Sequence, residues 1–168
     1  MFDVLFDFLY SVPHQLDTFF GYVLLFIAVF ICTATVVITM PDSFIIFTAG
    51  YYGDPFMVGL VSGVASAFGE LTAYFIGRGG AKVGEKTKIK SEKFNKAKEI
   101  FNKHGFWSIP VFSFTPFPLD FIGVVAGSLN YNIKKFFIGV LIGKIPKCLI
   151  LAYAGHFGLV EIAKFFGV

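Results

Sequence analysis

Six ionisable side chains stand in or beside apolar segments of this chain: Asp42, Glu70, Arg78, Asp120, Lys144 and Lys147. A charge held at the centre of a bilayer costs roughly 2.5–3.5 kcal/mol on insertion scales. Such a group can pair with an opposite charge, line a water-filled cavity, or give up its charge by taking or losing a proton. Glu70 precedes Arg78 by eight residues, about 12 Å along a helix. Lys144 follows Lys135 by nine, about 13 Å. Both spacings place the charge deep and leave Arg78 where its helix meets water. One reading is a stabilising Glu70–lysine contact between two spans. The other is a polar cavity in which Glu70 or Asp120 titrates and Lys144 and Lys147 meet an anionic headgroup. Pro146, between the lysines, is expected to break the helix ladder and turn carbonyls toward such a cavity.

Covalent chemistry has little to work with. The three histidines, His14, His104 and His156, are scattered. No Asp-x-x-Asp metal site, glycine-rich phosphate loop or Ser/His/Asp set is present. No catalytic residue, metal or cofactor is therefore assigned, and the chain reads as a non-enzyme. Cys32 and Cys148 fall inside apolar runs and read as small buried hydrophobes.

The elements that must carry these charges are membrane helices. The 168 residues are 56% hydrophobic and 15% charged, against about 25% charged in a soluble domain. We expect one all-α integral membrane domain with about three transmembrane helices, two opposed re-entrant hairpins in an inverted repeat, and a cytoplasmic amphipathic helix. Residues 1–18 read as an interfacial helix, with no Lys or Arg before residue 22 to mark a cleaved leader. Residues 19–40 carry no charge and suffice to cross a hydrocarbon core of about 30 Å. Residues 42–54 are apolar, bracketed by proline and broken at Ala49-Gly50, as a first re-entrant hairpin would be. Residues 55–77 form the second span. Residues 78–105 are basic, with nine bases and three acids between 78 and 103, whereas residues 1–77 hold six acids and no base. That asymmetry places the loop in the cytoplasm. Within it Phe94, Ala97 and Phe101 make an apolar stripe, and its lysines attract anionic lipid headgroups by about 1 kcal/mol each. Topology explains the lysines, so nucleic acid is not an expected partner. Residues 106–130, centred on Ala126-Gly127, read as a second hairpin, residues 133–155 as the last span, and residues 156–168 as a tail.

The halves repeat. Ala49-Gly50 answers Ala126-Gly127, Pro41 answers Pro118, and Gly59-x-x-x-Gly63 answers Gly139-x-x-x-Gly143, at offsets drifting from 77 to 80 residues. With the lysine loop inside, the second and last spans run in opposite directions. That is the inverted build of many transporters, whose sites lie near the midplane. The GxxxG pairs are expected to pack spans on each other or on the hairpins.

Gly69-Glu70-x-x-x-Tyr74-x-x-Gly77-Arg78-x-Gly80 resembles the first motif of the DedA / VTT-domain (SNARE-associated Golgi protein) membrane family. Thr115-Pro116-Phe117-Pro118-Leu119-Asp120, with Ala126-Gly127, Phe136 and Gly143, resembles its second. The resemblance implies opposed re-entrant hairpins, membrane-embedded acids and lipid translocation. In prokaryotic members that is uptake of polyprenyl phosphate or phosphatidylethanolamine; in eukaryotic ones it is phospholipid scrambling. It assigns the first motif's acid and arginine to Glu70 and Arg78, and the hairpin acid to Asp120. The sequence departs from the family in lacking arginines in the second hairpin, which leaves Lys144 and Lys147 as the bases at hand. Its first hairpin carries Asp42 one position before the usual acid. The expectation is a transporter, flippase or scramblase of phospholipid or polyprenyl phosphate in a prokaryotic plasma membrane. Proton coupling and a homo-oligomer are left open. A non-transporting assembly protein is the second class, and a lipid-phosphate enzyme the third.

Overall fold

The computed structural model describes residues 18–34, 42–84, 104–114 and 121–166. Six α-helices fall within them: α1 (Phe19–Ala34), α2 (Asp42–Tyr52), α3 (Pro55–Gly84), α4 (Ser108–Phe114, entered through a 3₁₀ turn at Gly105–Trp107), α5 (Phe121–Ser128) and α6 (Ile133–Phe166). No strand occurs among the described residues. Two stretches, Pro55–Gly79 and Ile133–Gly158, are long and apolar enough to cross a membrane. Their outer surfaces expose Phe75, Ile76, Ile138, Ile142, Ile150 and Phe157, an apolar exterior suited to lipid rather than water.

Local chemistry sets the starts of the two long helices. Asp54 Oδ1 accepts the Met57 amide at 2.8 Å, and Asn132 Oδ1 accepts the amides of Lys134 and Lys135 at 3.0 and 3.2 Å. Both are side-chain caps for amides that the helix cannot satisfy. Before α6 the chain turns through Asn130 at φ 51°. The Tyr131 amide donates to Ala126 O and the Asn130 amide to Gly127 O, the paired bonds of a Schellman ending, which asparagine can enter in the left-handed region.

Two expected breaks are absent. Ala49-Gly50 and Ala126-Gly127 lie inside α2 and α5, and the chain reverses later, at Gly53-Asp54 and at Leu129–Asn132. These glycines serve close approach instead. A Cβ on Gly50 would overlap the backbone of Ala152 and one on Gly127 that of Tyr74; one on Gly155 would overlap Phe47 and one on Gly77 Val124. The first contact of each half maps onto the second half with shifts of 77 residues for the short helices and 78 for the long ones. The caps Asp54 and Asn132 obey the same shift of 78. The repeat is thus tighter than its sequence drift suggests, but the two GxxxG motifs are not mates. Gly59 and Gly63 pack on Leu149 and Ile145 of α6, whereas Gly139 and Gly143 pack on Ile109 and Pro110 of α4.

Other expectations shift at element ends. The apolar run 19–40 is helical through Ala34, 16 residues, and 35–40 lie outside the described residues. The expected tail is no separate element, since α6 continues unbroken to Phe166. Pro146 likewise sits inside α6 without ending it; its ring removes only the hydrogen bond to the carbonyl of Ile142. The interfacial segment 1–17, the amphipathic stripe 94–101, and the segments 35–41 and 115–120 that would complete the hairpins are outside the described residues.

Candidate functional site

The two long helices cross antiparallel. Gly59 lies against Leu149 and Gly63 against Ile145, the Phe68 and Phe137 rings meet at a tilt with centroids 5.0 Å apart, and the Tyr74 ring lies 5.1 Å from that of Phe136. Position rises along α3 as it falls along α6. Small residues at the crossing allow the backbones this proximity.

At the crossing the structure joins two of the six predicted charges. Lys144 Nζ lies 2.8 Å from Glu70 Oε1, with side-chain exposures of 7% and 3%. Glu70 is nine residues from Gly79 and Lys144 eleven from Ile133, about 14 and 16 Å from the same face. The pair therefore sits near the middle of both spans. Here each charge answers the other, which lowers the cost of holding either in low dielectric. The answer is incomplete, because Glu70 Oε2 is buried without a hydrogen-bond partner.

The other predicted residues divide around this pair. Lys147 and Asp42 are half-buried, and Lys144, Lys147 and Asp42 all act electrostatically on the Cys148 thiol. Asp42 also acts on Cys32. The Asp42 carboxylate, at the start of α2, accepts the Ser43 amide at 2.7 Å and the Ser43 hydroxyl at 3.2 Å. Arg78 is exposed and does not join the pair. Tyr74 is a packing residue, buried on Phe136, with its hydroxyl donated to Tyr131 O. Gly77 and Gly127 fasten α3 to α5, Gly50 fastens α2 to α6, and Gly139 and Gly143 seat α4 on α6. Asp120, Pro41, Pro116 and Pro118 lie outside the described residues.

Sequence reasoning passed over Ser62, Ser66 and Thr33. All three are buried, and Thr33 Oγ1 donates to Val29 O at 2.7 Å and reaches Ser66 Oγ at 3.5 Å. Ser62, Ser66 and Glu70 are spaced at i, i+4 and i+8, which puts them on one helix face. That spacing was the available signal.

Opposed half-repeats around a buried ion pair define a polytopic membrane protein whose polar centre is shared by both halves. Comparison with known proteins specifies the class. The VTT domain matches residues 40–157, most of the chain, and the chain belongs to this family of membrane proteins. It is also similar to an uncharacterized protein of Methanocaldococcus jannaschii, 30% identical over 92 residues, which are 53% of this chain and 56% of that one. The chain thus spans little more than half the length of that curated relative. No solved structure matches it.

Proposed function

We propose that this protein moves lipid between the leaflets of a prokaryotic plasma membrane, carrying the headgroup of a phospholipid or polyprenyl phosphate through the seam between α3 and α6. One observation carries the reading: a Glu70–Lys144 pair buried at mid-depth where two inverted halves meet, with one carboxylate oxygen unsatisfied. A purely structural pair gains most when every oxygen is bonded. This one keeps a vacant acceptor in the place where transporters of inverted build hold their substrates.

The chemistry follows from charge balance. While Glu70 is ionised it neutralises Lys144, and the seam is closed. A proton on Glu70 removes that partner, and Lys144 then needs another anion. A lipid phosphate supplies it, with Lys147 at the next turn as a second donor. The acyl chains stay in the bilayer along the exposed apolar faces of α3 and α6 while the headgroup crosses. No bond is made or broken.

The test uses purified protein in liposomes holding a fluorescent phospholipid or, separately, a labelled polyprenyl phosphate. Movement between leaflets is compared for wild type, Glu70→Gln, Lys144→Gln and Asp120→Asn. Loss of movement in folded Glu70→Gln and Lys144→Gln protein is the expected result. Wild-type protein that moves neither lipid, with or without a proton gradient, would sink the reading and leave the pair as a fastener in an assembly protein.

A further inference from the structure

The surroundings of the ion pair differ in its two directions. Toward the face where α3 begins, the next residues on the Glu70 side of that helix are Ser66 and Ser62, both 0% exposed. Thr33 of α1 lies beside Ser66. Ser62 Oγ, like Glu70 Oε2, has no hydrogen-bond partner. Toward the face where α6 begins, the neighbours are Tyr74, Phe136 and Val140, all buried in one apolar cluster. The Tyr74 hydroxyl is already committed to Tyr131 O. Along α3 and α6, one direction offers hydroxyls and the other a hydrocarbon plug; the buried Ser113 hydroxyl of α4 lies beside Gly143, at the level of the pair itself.

Two unpartnered polar atoms on one buried helix face, about 12 Å apart along α3, are a place for water. Internal water binds where two to four polar groups can hold it, and a buried polar group without a partner is costly. Ser62, Ser66, Thr33 and Glu70 supply such groups, since a hydroxyl both donates and accepts. Beyond Ser62 the row meets Val58, buried in an apolar cluster with Ala49 and Ala152.

We propose that Ser62, Ser66 and Thr33 hold a short row of water molecules against Glu70 Oε2, and that protons reach the Glu70–Lys144 pair along it from the face where α3 begins. Val58 is the gate at its outer end. The transfer balances: the water next to Glu70 gives a proton to Oε2 and takes one from its neighbour. The outermost water is resupplied from solution, and Lys144 keeps its own proton throughout. The ionisable group on Glu70 is Lys144 of α6. Lys147 of α6 and Asp42 at the start of α2 act with Lys144 on Cys148, one turn farther along α6; Asp42 acts on Cys32 of α1, and the described residues of α5 bring no ionisable side chain. This inference rests on the reading of Glu70 as the group that gains a proton.

The test is made on full-length protein in liposomes of known orientation, in a Cys32→Ala, Cys148→Ala background. Single cysteines are placed by Ser62→Cys and Ser66→Cys in the row, and by Ala65→Cys and Ala67→Cys, equally buried, as controls. Silver ion, small enough for a path one water wide, is added on one side, and the thiols left free are counted by alkylation after denaturation. The cysteines at 62 and 66 should be blocked at least tenfold faster than the controls, only from the side where α3 begins, and faster still with Val58→Ala. Equal rates at all four positions, or blocking of 62 and 66 from the opposite side, would overturn the proposal. Should Ser66→Cys fail to fold, Ser62→Cys decides alone. Lipid movement in wild-type protein separates the two readings. Movement with a dry row removes only the water path, whereas a hydrated row without movement removes the transport function.

Discussion

Down α3, Ser62, Ser66 and Glu70 follow one another at four-residue steps; the corresponding steps down α6 are Val140, Lys144 and Cys148. The shift of 78 that relates the caps and the long-helix sides of the glycine contacts relates these rows as well, so Glu70 corresponds to Cys148 and Ser66 to Lys144. The backbone of the two halves is therefore used twice, while the centre is filled once. Glu70 meets Lys144 across the seam, and the related position brings Ser66 to Cys148. A two-fold backbone explains how the helices approach. The unequal filling leaves hydroxyls on one side of the pair along α3 and apolar side chains on the other along α6, and the proposed proton path uses that difference.

The largest effects are expected at the close contacts between helices. Gly50→Val and Gly127→Val each force a side chain into a backbone, and each should cost more than about 3 kcal/mol. The readout is recovery of monodisperse protein and its thermal midpoint in detergent. If one is tolerated and the other is not, the halves are not equivalent. Next comes the pair itself. Lys144→Met leaves Glu70 buried without its partner, a loss of about 3–5 kcal/mol. Adding Glu70→Gln should recover most of that stability without restoring lipid movement. A double variant no more stable than the single one would mean the two residues do not answer each other.

Smaller effects sharpen the frame. Asp54→Ala and Asn132→Ala should each lower stability by about 1 kcal/mol, and by similar amounts if the caps are true mates; denaturation in mixed micelles measures both. Ser62→Ala should be nearly neutral for stability, because it deletes a hydroxyl that has no protein partner. It should nevertheless slow the response of lipid movement to a step in pH on the side where α3 begins. An unchanged response would leave that hydroxyl without a role in proton access.

Much of this was legible in the chain. Glu70 and Lys144 stood out because a charge in an apolar run has few ways to exist, and a Glu70–lysine contact was one of two readings. The family motifs marked the same Glu70 and, among the close-contact glycines, Gly77, Gly127 and Gly143. The hairpin breaks were misplaced because glycine has two uses, and Ala49-Gly50 read as a turn when it is a surface for another backbone. The GxxxG pairing failed for a related reason, since one motif faces a long helix and the other a short one. Ser62 and Ser66 were overlooked because serine in an apolar helix is common, and only burial without a partner sets these two apart.

What the sequence determined alone is set by local physics and by the solvent. Its apolar runs and sparse charge suit it to a bilayer, and Asp54 and Asn132 start the long helices by their own hydrogen bonds. Tertiary structure decided the rest. Which lysine meets Glu70, which glycine meets which backbone, and which side of the pair is polar depend on how two antiparallel helices cross, a relation between residues some 75 positions apart. No local preference encodes that crossing. It follows from where small residues let two backbones approach, and the approach carries Lys144 to Glu70.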